Sequence, residues 1–139
     1  MTDAGPSEAV RCNVLSFPAG QGEEPEDLPA GGKFLQLLWR GEDYLVFADR
    51  EVHGYHNQIL AHFLADRGIP HRWLAQDRLE ADHPALRVLG GGRFRLDRAG
   101  GRLYLWDDSQ AYGRFVEARV HEGLAGAPAP WSKMTLVIG

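Results

Sequence analysis

Short apolar or alternating runs recur along the chain at a length typical of β-strands. Residues 34–39 and 44–47 flank a Gly-Glu-Asp turn, and this arrangement predicts a β-hairpin. Residues 93–96 and 103–106 alternate on either side of a Gly-Gly pair and predict a second hairpin. Further strands are predicted at residues 11–17 (a short edge strand), 71–75, 86–89 and 134–138, and the polar residues 78–84 predict a loop or short helical turn.

Two segments change to a helical period. Four apolar residues between positions 59 and 64 share one helical face and predict a helix over residues 55–67, which Gly68 and Pro70 would end. Pairs spaced four residues apart predict a second helix over residues 110–122. Together these elements predict an α/β (α+β) fold, a single domain with two main helices on the faces of one mixed sheet of roughly six strands.

The first part of the chain has a different composition from the rest. Residues 1–32 are rich in glycine, proline, alanine and acidic residues, so they have little apolar surface to bury. We expect a flexible segment over residues 1–32, with the folded domain formed by residues 33–139.

Bulk composition excludes several classes of protein. A net charge of −4 is unlike the basic footprint of a general nucleic-acid binder. Cys12 is the only cysteine, so neither an intrachain disulfide nor a cysteine-based metal site is expected, which suits a reducing cytoplasm. No apolar run reaches the ~18 residues that a membrane helix needs, and the N-terminus does not have the pattern of a signal peptide. We expect a cytoplasmic monomer that binds neither membrane nor nucleic acid.

A glycine-arginine segment and a small-residue loop suggest an oxyanion site. Three glycines, at residues 90–92, would leave their backbone amides unshielded, and Arg93 follows them directly. Ser109 precedes the second helical pattern and supplies a hydroxyl, although it also fits an ordinary N-cap. Asp107 and Asp108 would repel an anion, so we expect them to face outward or to cap the helix. The alternative interpretation is a simple glycine turn followed by an ordinary helix.

One of the six histidines has a position suited to catalysis. His56 lies where the first helix begins, and the free amides and positive dipole end of a helix attract anions there. An imidazole with an unperturbed pKa of about 6.5 can act as base or acid near neutral pH. The alternative is a surface or capping histidine. A metal pair of His53 and His56 lacks a third ligand at convincing spacing, and His62 is expected on the exposed face of the helix.

The motifs also occur in a recognisable order. They are Lys33, Tyr55-His56-Asn57-Gln58-Ile59, Leu89-Gly90-Gly91-Gly92-Arg93 and Ser109-Gln110-Ala111-Tyr112-Gly113. Over about residues 32–139 this order resembles the Janus/Ocnus family of phosphohistidine phosphatases. The resemblance implies a small α/β fold with a central sheet between two helices. It also implies hydrolysis of phosphohistidine, in a protein or a small phosphoramidate, without a metal or other cofactor.

The same resemblance implies roles for individual residues. His56 corresponds to the catalytic base that activates water, and Arg93 and Lys33 to phosphate-binding cations. Ser109 and Ala111 correspond to loop donors, the latter through its backbone N–H. In the mechanism that we expect, the backbone N–H groups of His56, Asn57 and Ser109 also hold phosphoryl oxygens, although the sequence leaves open a covalent intermediate on His56.

Two departures from the family pattern bear on the function. A second arginine of the family falls on Ala48, and the nearby Arg50 is offset from it by two positions. The segment between His56 and the glycines is longer than in the family, so residues 69–84 are expected to reshape the mouth of the pocket. Two other functions therefore remain open: a phospho-ligand binding module without turnover, and a phosphatase that acts on phospholysine or small phosphoramidates.

Overall fold

A computed structural model describes residues 12–18 and 28–139. The predicted flexible segment over residues 1–32 lies largely outside these described residues. Its one predicted strand is present, because Cys12–Phe17 forms an edge strand that pairs in parallel with the strand at Glu42–Asp49.

Six strands form one mixed sheet: β1 (Cys12–Phe17), β2 (Gly31–Trp39), β3 (Glu42–Asp49), β6 (Leu86–Asp97), β7 (Arg102–Trp106) and β8 (Thr135–Ile138). Their order across the sheet is β1-β3-β2-β6-β7-β8. The outer pairs β1·β3 and β7·β8 are parallel, and the inner pairs are antiparallel. A separate two-stranded hairpin contains β4 (Arg72–Ala75) and β5 (Arg78–Glu80).

Two helices pack on opposite faces of this sheet. Helix α1 (His56–Asp66) covers the face that carries Leu35 and Val46. Helix α2 (Glu117–Ala125), followed by a 3₁₀ turn at Trp131–Lys133, covers the face that carries Phe34 and Phe47. Neighbouring strand residues thus enter different cores, as expected for a strand buried on both faces. The predicted α/β architecture of a mixed sheet with two helices is confirmed.

Helix α2 is joined to the sheet by an ion pair in which the carboxylate is buried and the arginine is partly exposed. The Arg119 guanidinium donates through Nε to a carboxylate oxygen of Asp43 at 2.8 Å, and its Nη2 contacts the other oxygen. Asp43 is buried, and hydrogen-bonded pairing of this kind is what makes a buried carboxylate tolerable. The pair links α2 to β3.

Three predicted elements are wrong in detail. Residues 86–89 and 93–96 do not form two strands around a glycine turn, because the strand β6 continues through the glycines. Residues 78–84 contain strand β5 rather than only a loop or helical turn, because residues 78–80 pair with the preceding strand. The second helix begins at Glu117 instead of residue 110, because Ser109 and Gly113 close a tight turn in which Gly113 has a φ of 82°.

No helix in the described part of the chain is long and apolar enough to cross a membrane.

Candidate active site

The His56 ring lies directly against the backbone of β6 at its glycines. Gly91 lies in the middle of the sheet, paired with Leu35 of β2. A Cβ atom added at Gly91 would lie 2.6 Å from Cδ2 and 2.8 Å from Nε2 of His56. No side chain larger than hydrogen fits there while the ring keeps its position. The expectation of a bare amide is wrong for Gly91, because its N–H donates to the Gly113 carbonyl at 3.0 Å. This glycine instead lets the His56 ring approach the backbone.

The ring of His56 is held in one tautomer by the sheet. His56 is only 5% exposed, and its Nε2 lies 3.0 Å from the Gly92 carbonyl oxygen. A carbonyl can only accept a hydrogen bond, so Nε2 carries the proton. In the neutral ring, Nδ1 is then the nitrogen with a lone pair, available as a base or a nucleophile.

Burial also keeps the ring uncharged. Desolvation is the main cause that lowers the pKa of His56, and the nearby Lys33 charge lowers it further. The Gly92 and Phe34 carbonyls and the Asp107 carboxylate oppose this shift. The net direction is downward, so His56 is mostly neutral at pH 7.

All six site residues predicted from the sequence line one cleft of about 930 Å³: Lys33, His56, Asn57, Arg93, Ser109 and Ala111. They come from β2, the start of α1, β6 and the turn after β7. The cleft also contains residues that sequence reasoning did not propose as ligands, namely Tyr55, Gln58, Gln76, Asp77, Asp107, Asp108 and Gln110. Gln76 and Asp77 belong to the turn of the β4–β5 hairpin, so the long segment at residues 69–84 does reach the cleft.

Two cations lie side by side on the floor of the cleft. Lys33 of β2 and Arg93 of β6 are direct cross-strand partners, on the same sheet face as Gly91. Lys33 Nζ lies 5.2 Å from the centroid of the Tyr55 ring, within the range of a cation–π contact. A doubly charged oxyanion placed beside His56 would meet both cations.

Three backbone N–H groups are open to a ligand. His56 and Asn57 occupy the first turn of α1, where amides have no helical partner, and Tyr55 provides no side-chain cap. The Ala111 N–H in the loop after β7 also has no hydrogen-bond partner among the described residues. The side chain of Asn57 is already engaged, because its Nδ2 donates to the Asp77 carbonyl at 3.0 Å.

Ser109 does not cap the second helix. It is buried, and its Oγ accepts the Tyr112 N–H at 3.1 Å, which closes a local turn. Its backbone N–H donates to the Gly113 carbonyl at 3.0 Å and is not available to an anion. The hydroxyl proton remains, so Ser109 can still donate one hydrogen bond into the cleft that it lines.

Asp107 is exposed to solvent, but it also lines the cleft, which was not expected. Its Oδ2 lies 3.1 Å from Nε of Arg93, and its Oδ1 accepts the Asp108 N–H at 2.9 Å. Its φ of 70° is unusual for a residue other than glycine. This carboxylate occupies one edge of the Arg93 guanidinium, so the Nη edge is the one left for a ligand.

Position 48 adds no charge to the cleft. Ala48 pairs with Lys33 across β2 and β3 and is completely buried beneath α1. Arg50 lies beside Gly31 and is not among the described residues that line the cleft. The cleft therefore offers Lys33 and Arg93 as its cations.

His53 and His62 form a histidine pair beside Phe17, outside the cleft. His62 is only partly exposed, contrary to expectation: its ring stacks on Phe17 at 3.7 Å between centroids, and its Nδ1 lies 2.8 Å from Nε2 of His53. Asp66 approaches the other nitrogen of His62 at 3.5 Å. Within residues 12–18 and 28–139, no three His, Cys, Asp or Glu side chains are arranged to hold a metal ion.

Comparison with protein-family models and with curated proteins finds no match to this chain.

Proposed function

We propose that the protein is a metal-independent phosphohistidine phosphatase. The observation that carries the proposal is the 3.0 Å contact between Nε2 of His56 and the Gly92 carbonyl, which leaves the lone pair of the neutral ring on Nδ1. His56 lines a cleft that also contains two cations and three open amides. This set can hold three oxygens of a phosphoryl group and place a reacting nitrogen beside phosphorus.

The chemistry required of the protein is modest because the P–N bond of phosphohistidine is already labile. Water attacks phosphorus, the P–N bond breaks, and the leaving imidazole takes up a proton. Nδ1 of His56 removes the proton from the attacking water, while Lys33 and Arg93 balance the charge on the phosphoryl oxygens. A second route begins with attack by Nδ1 itself, which forms phospho-His56 that water then hydrolyses. Both routes require the same nitrogen.

Hydrolysis of phosphoramidate tests the proposal most directly. We expect the wild-type protein to release inorganic phosphate from phosphoramidate at the same rate with and without EDTA, because no step in the proposed chemistry needs a metal. Loss of the rate in EDTA would contradict the metal-independent mechanism. No turnover of phosphoramidate, phosphohistidine or phospholysine would contradict the enzyme proposal.

A binding module without turnover is the second candidate, and the Asp107–Arg93 ion pair favours it. A carboxylate already beside the guanidinium lowers the positive charge of the cleft, and Ala48 contributes none. In that case phosphate would bind, with a measurable heat by calorimetry, while phosphoramidate stayed intact. A phosphatase for phospholysine or small phosphoramidates would use the same residues of the cleft and would differ in its preferred substrate.

Replacing Arg93 with alanine is expected to weaken substrate binding. Charge-assisted hydrogen bonds contribute about 1.5–3 kcal/mol, so we expect KM for phosphoramidate to rise about 10- to 100-fold, with a smaller change in kcat. Arg95→Ala is the matched control, because Arg95 lies two residues along the same strand and stacks on Tyr104 at 4.4 Å. Equal increases in KM for the two variants would show that Arg93 does not contact the substrate.

We also propose a cytoplasmic location and a monomeric state. The single cysteine supports the location, because Cys12 has no second cysteine with which to form an intrachain bridge.

A further inference from the structure

The β4–β5 hairpin projects beside the cleft and is held in a fixed place. It pairs with no strand of the main sheet. Leu79 of β5 packs against the core beneath α1, and the Asp77 carbonyl in the turn accepts the Asn57 side-chain hydrogen bond at 3.0 Å. Asn57 is the residue after His56, so the hairpin is anchored to the same helical turn that carries the reactive nitrogen.

The outer strand of this hairpin exposes apolar side chains. All four residues of β4 are exposed, and Trp73 and Leu74 have 43% and 48% of their surface in contact with solvent. Among the described residues, β4 pairs only with β5, so its other edge is open. Open edges with exposed aromatic and aliphatic groups are the surfaces onto which extended peptides dock.

The direction of β4 connects this surface to the cleft. The strand ends at Ala75, and the next two residues, Gln76 and Asp77, line the cleft. An extended segment that lies along β4 would therefore enter the cleft at the hairpin turn. A free phosphoramidate would occupy the cleft without touching Trp73 or Leu74.

The charge at the mouth indicates what such a segment carries. The carboxylates of Asp77 and Asp108 line the cleft and have no ion pair or hydrogen-bond partner among the described residues. The bound phosphoryl group is balanced by Lys33 and Arg93, so these two carboxylates favour a cation in the flanking chain.

We propose, on the basis of the proposed function, that the hairpin and Asp108 form a docking surface for a protein substrate. The occupant is an extended segment that places apolar side chains against the exposed Trp73 and Leu74. A lysine or arginine next to its phosphohistidine lies near Asp77 and Asp108. Affinity for the substrate thus comes partly from the flanking chain, beyond the phosphoryl group.

The apolar part of the surface is tested with two fluorescent peptides that carry a non-hydrolysable phosphohistidine analogue. One has leucine and arginine flanks and the other has glycine and serine flanks. Fluorescence anisotropy is expected to show that the wild-type protein binds the first peptide at least ~10-fold more tightly than the second. Trp73→Ala or Leu74→Ser should reduce this ratio of dissociation constants to about 3 or less. Val137→Ala truncates another exposed apolar side chain, on β8, and should keep the full ratio.

The charged part is tested with arginine and glutamine versions of the leucine-flanked peptide. Asp77→Asn and Asp108→Asn are each expected to reduce the preference for arginine, and more so at low salt. Asp82→Asn removes an exposed carboxylate outside the cleft and should leave the preference unchanged. A wild-type protein that binds all the peptides equally, or a loss of preference shared with the control variants, overturns the proposal.

Phosphoramidate separates this proposal from the proposed function, because it has no flanking chain. Trp73→Ala should keep the wild-type kcat/KM for phosphoramidate within about twofold. Hydrolysis of phosphoramidate without any flank preference would overturn the docking surface and retain the phosphatase. A flank preference without hydrolysis would retain the docking surface and overturn the phosphatase.

Discussion

His56→Ala is expected to lower kcat for phosphoramidate by about 10²–10⁴, the usual contribution of a positioned base. Phosphate binding should change little, because the cations and the backbone N–H groups of the cleft remain. The ring is buried against the sheet and not exposed, so its removal also leaves a small cavity above Gly91. Rates should therefore be compared at a temperature where circular dichroism shows the variant to be folded.

His121→Ala is the matched control for this experiment. His121 lies exposed on α2, on the sheet face opposite the cleft. It should retain the wild-type rate. Full activity in His56→Ala would exclude Nδ1 as both base and nucleophile, and would leave the cleft without a group for the proposed chemistry.

The pH dependence of kcat/KM tests independently whether His56 is the catalytic group. Turnover requires neutral His56, and burial lowers its pKa below the ordinary 6.5, so the acidic limb of kcat/KM is expected below pH 6.5. Lys33→Gln removes a charge that lowers this pKa and should move the limb upward. Asp107→Asn removes a charge that raises it and should move the limb downward. If the two variants shifted the acidic limb in the same direction, or did not shift it, the assignment of the limb to His56 would be contradicted.

The same shift has a consequence for stability. The unfolded chain takes up a proton on His56 near pH 6.5, whereas the folded chain does so only at lower pH. The contribution of His56 to the free energy of unfolding is therefore complete above about pH 6.5. It falls as the pH drops through the folded-state pKa.

Several strands and the first helix could be predicted because the spacing of their apolar residues follows the period of a strand or of a helix. Ile59 and Phe63 share one helical face, as the apolar spacing indicated, and the apolar run that begins at Phe34 forms a strand. The glycines of β6 could not be assigned from local pattern. A glycine run is typical of a turn, and only the partner strand and the ring above it explain why the strand continues.

The candidate site was only partly predictable for a similar reason. Residues such as His56 and Arg93 belong to short motifs, so the sequence could select them. Asp107 was expected to point away from an anion, but its own geometry places it against the guanidinium of Arg93. Asp77 lies in a hairpin turn distant in the chain, and packing of Leu79 together with a side-chain hydrogen bond from Asn57 holds it beside the cleft. Contacts of this kind leave no periodic signal.

Gly91→Ala is expected to impair both stability and activity, because the new methyl group would occupy the site of the His56 ring. Its Cβ would lie 2.6 Å from Cδ2 of His56 and 2.7 Å from the Phe34 carbonyl oxygen. The carbonyl belongs to a central strand and cannot move away freely, so the ring must leave its position. Overpacking of this kind costs about 1–3 kcal/mol in unfolding free energy. The loss of the Gly92 hydrogen bond releases the tautomer, so kcat should fall at least ~10-fold.

Two other glycines separate the ring displacement from general damage. An alanine at Gly54 meets nothing within 4 Å, so Gly54→Ala should resemble the wild type in melting temperature and kcat. Gly123→Ala clashes on the opposite face of the sheet, 2.9 Å from Cβ and Sγ of Cys12, and should disturb packing there without touching the ring. At a temperature where all three variants are folded, only Gly91→Ala should lose most of its turnover and shift the His56 imidazole signals in NMR spectra. Wild-type turnover in Gly91→Ala would mean that catalysis does not need the ring fixed on the sheet, and the tautomer argument for His56 would fail.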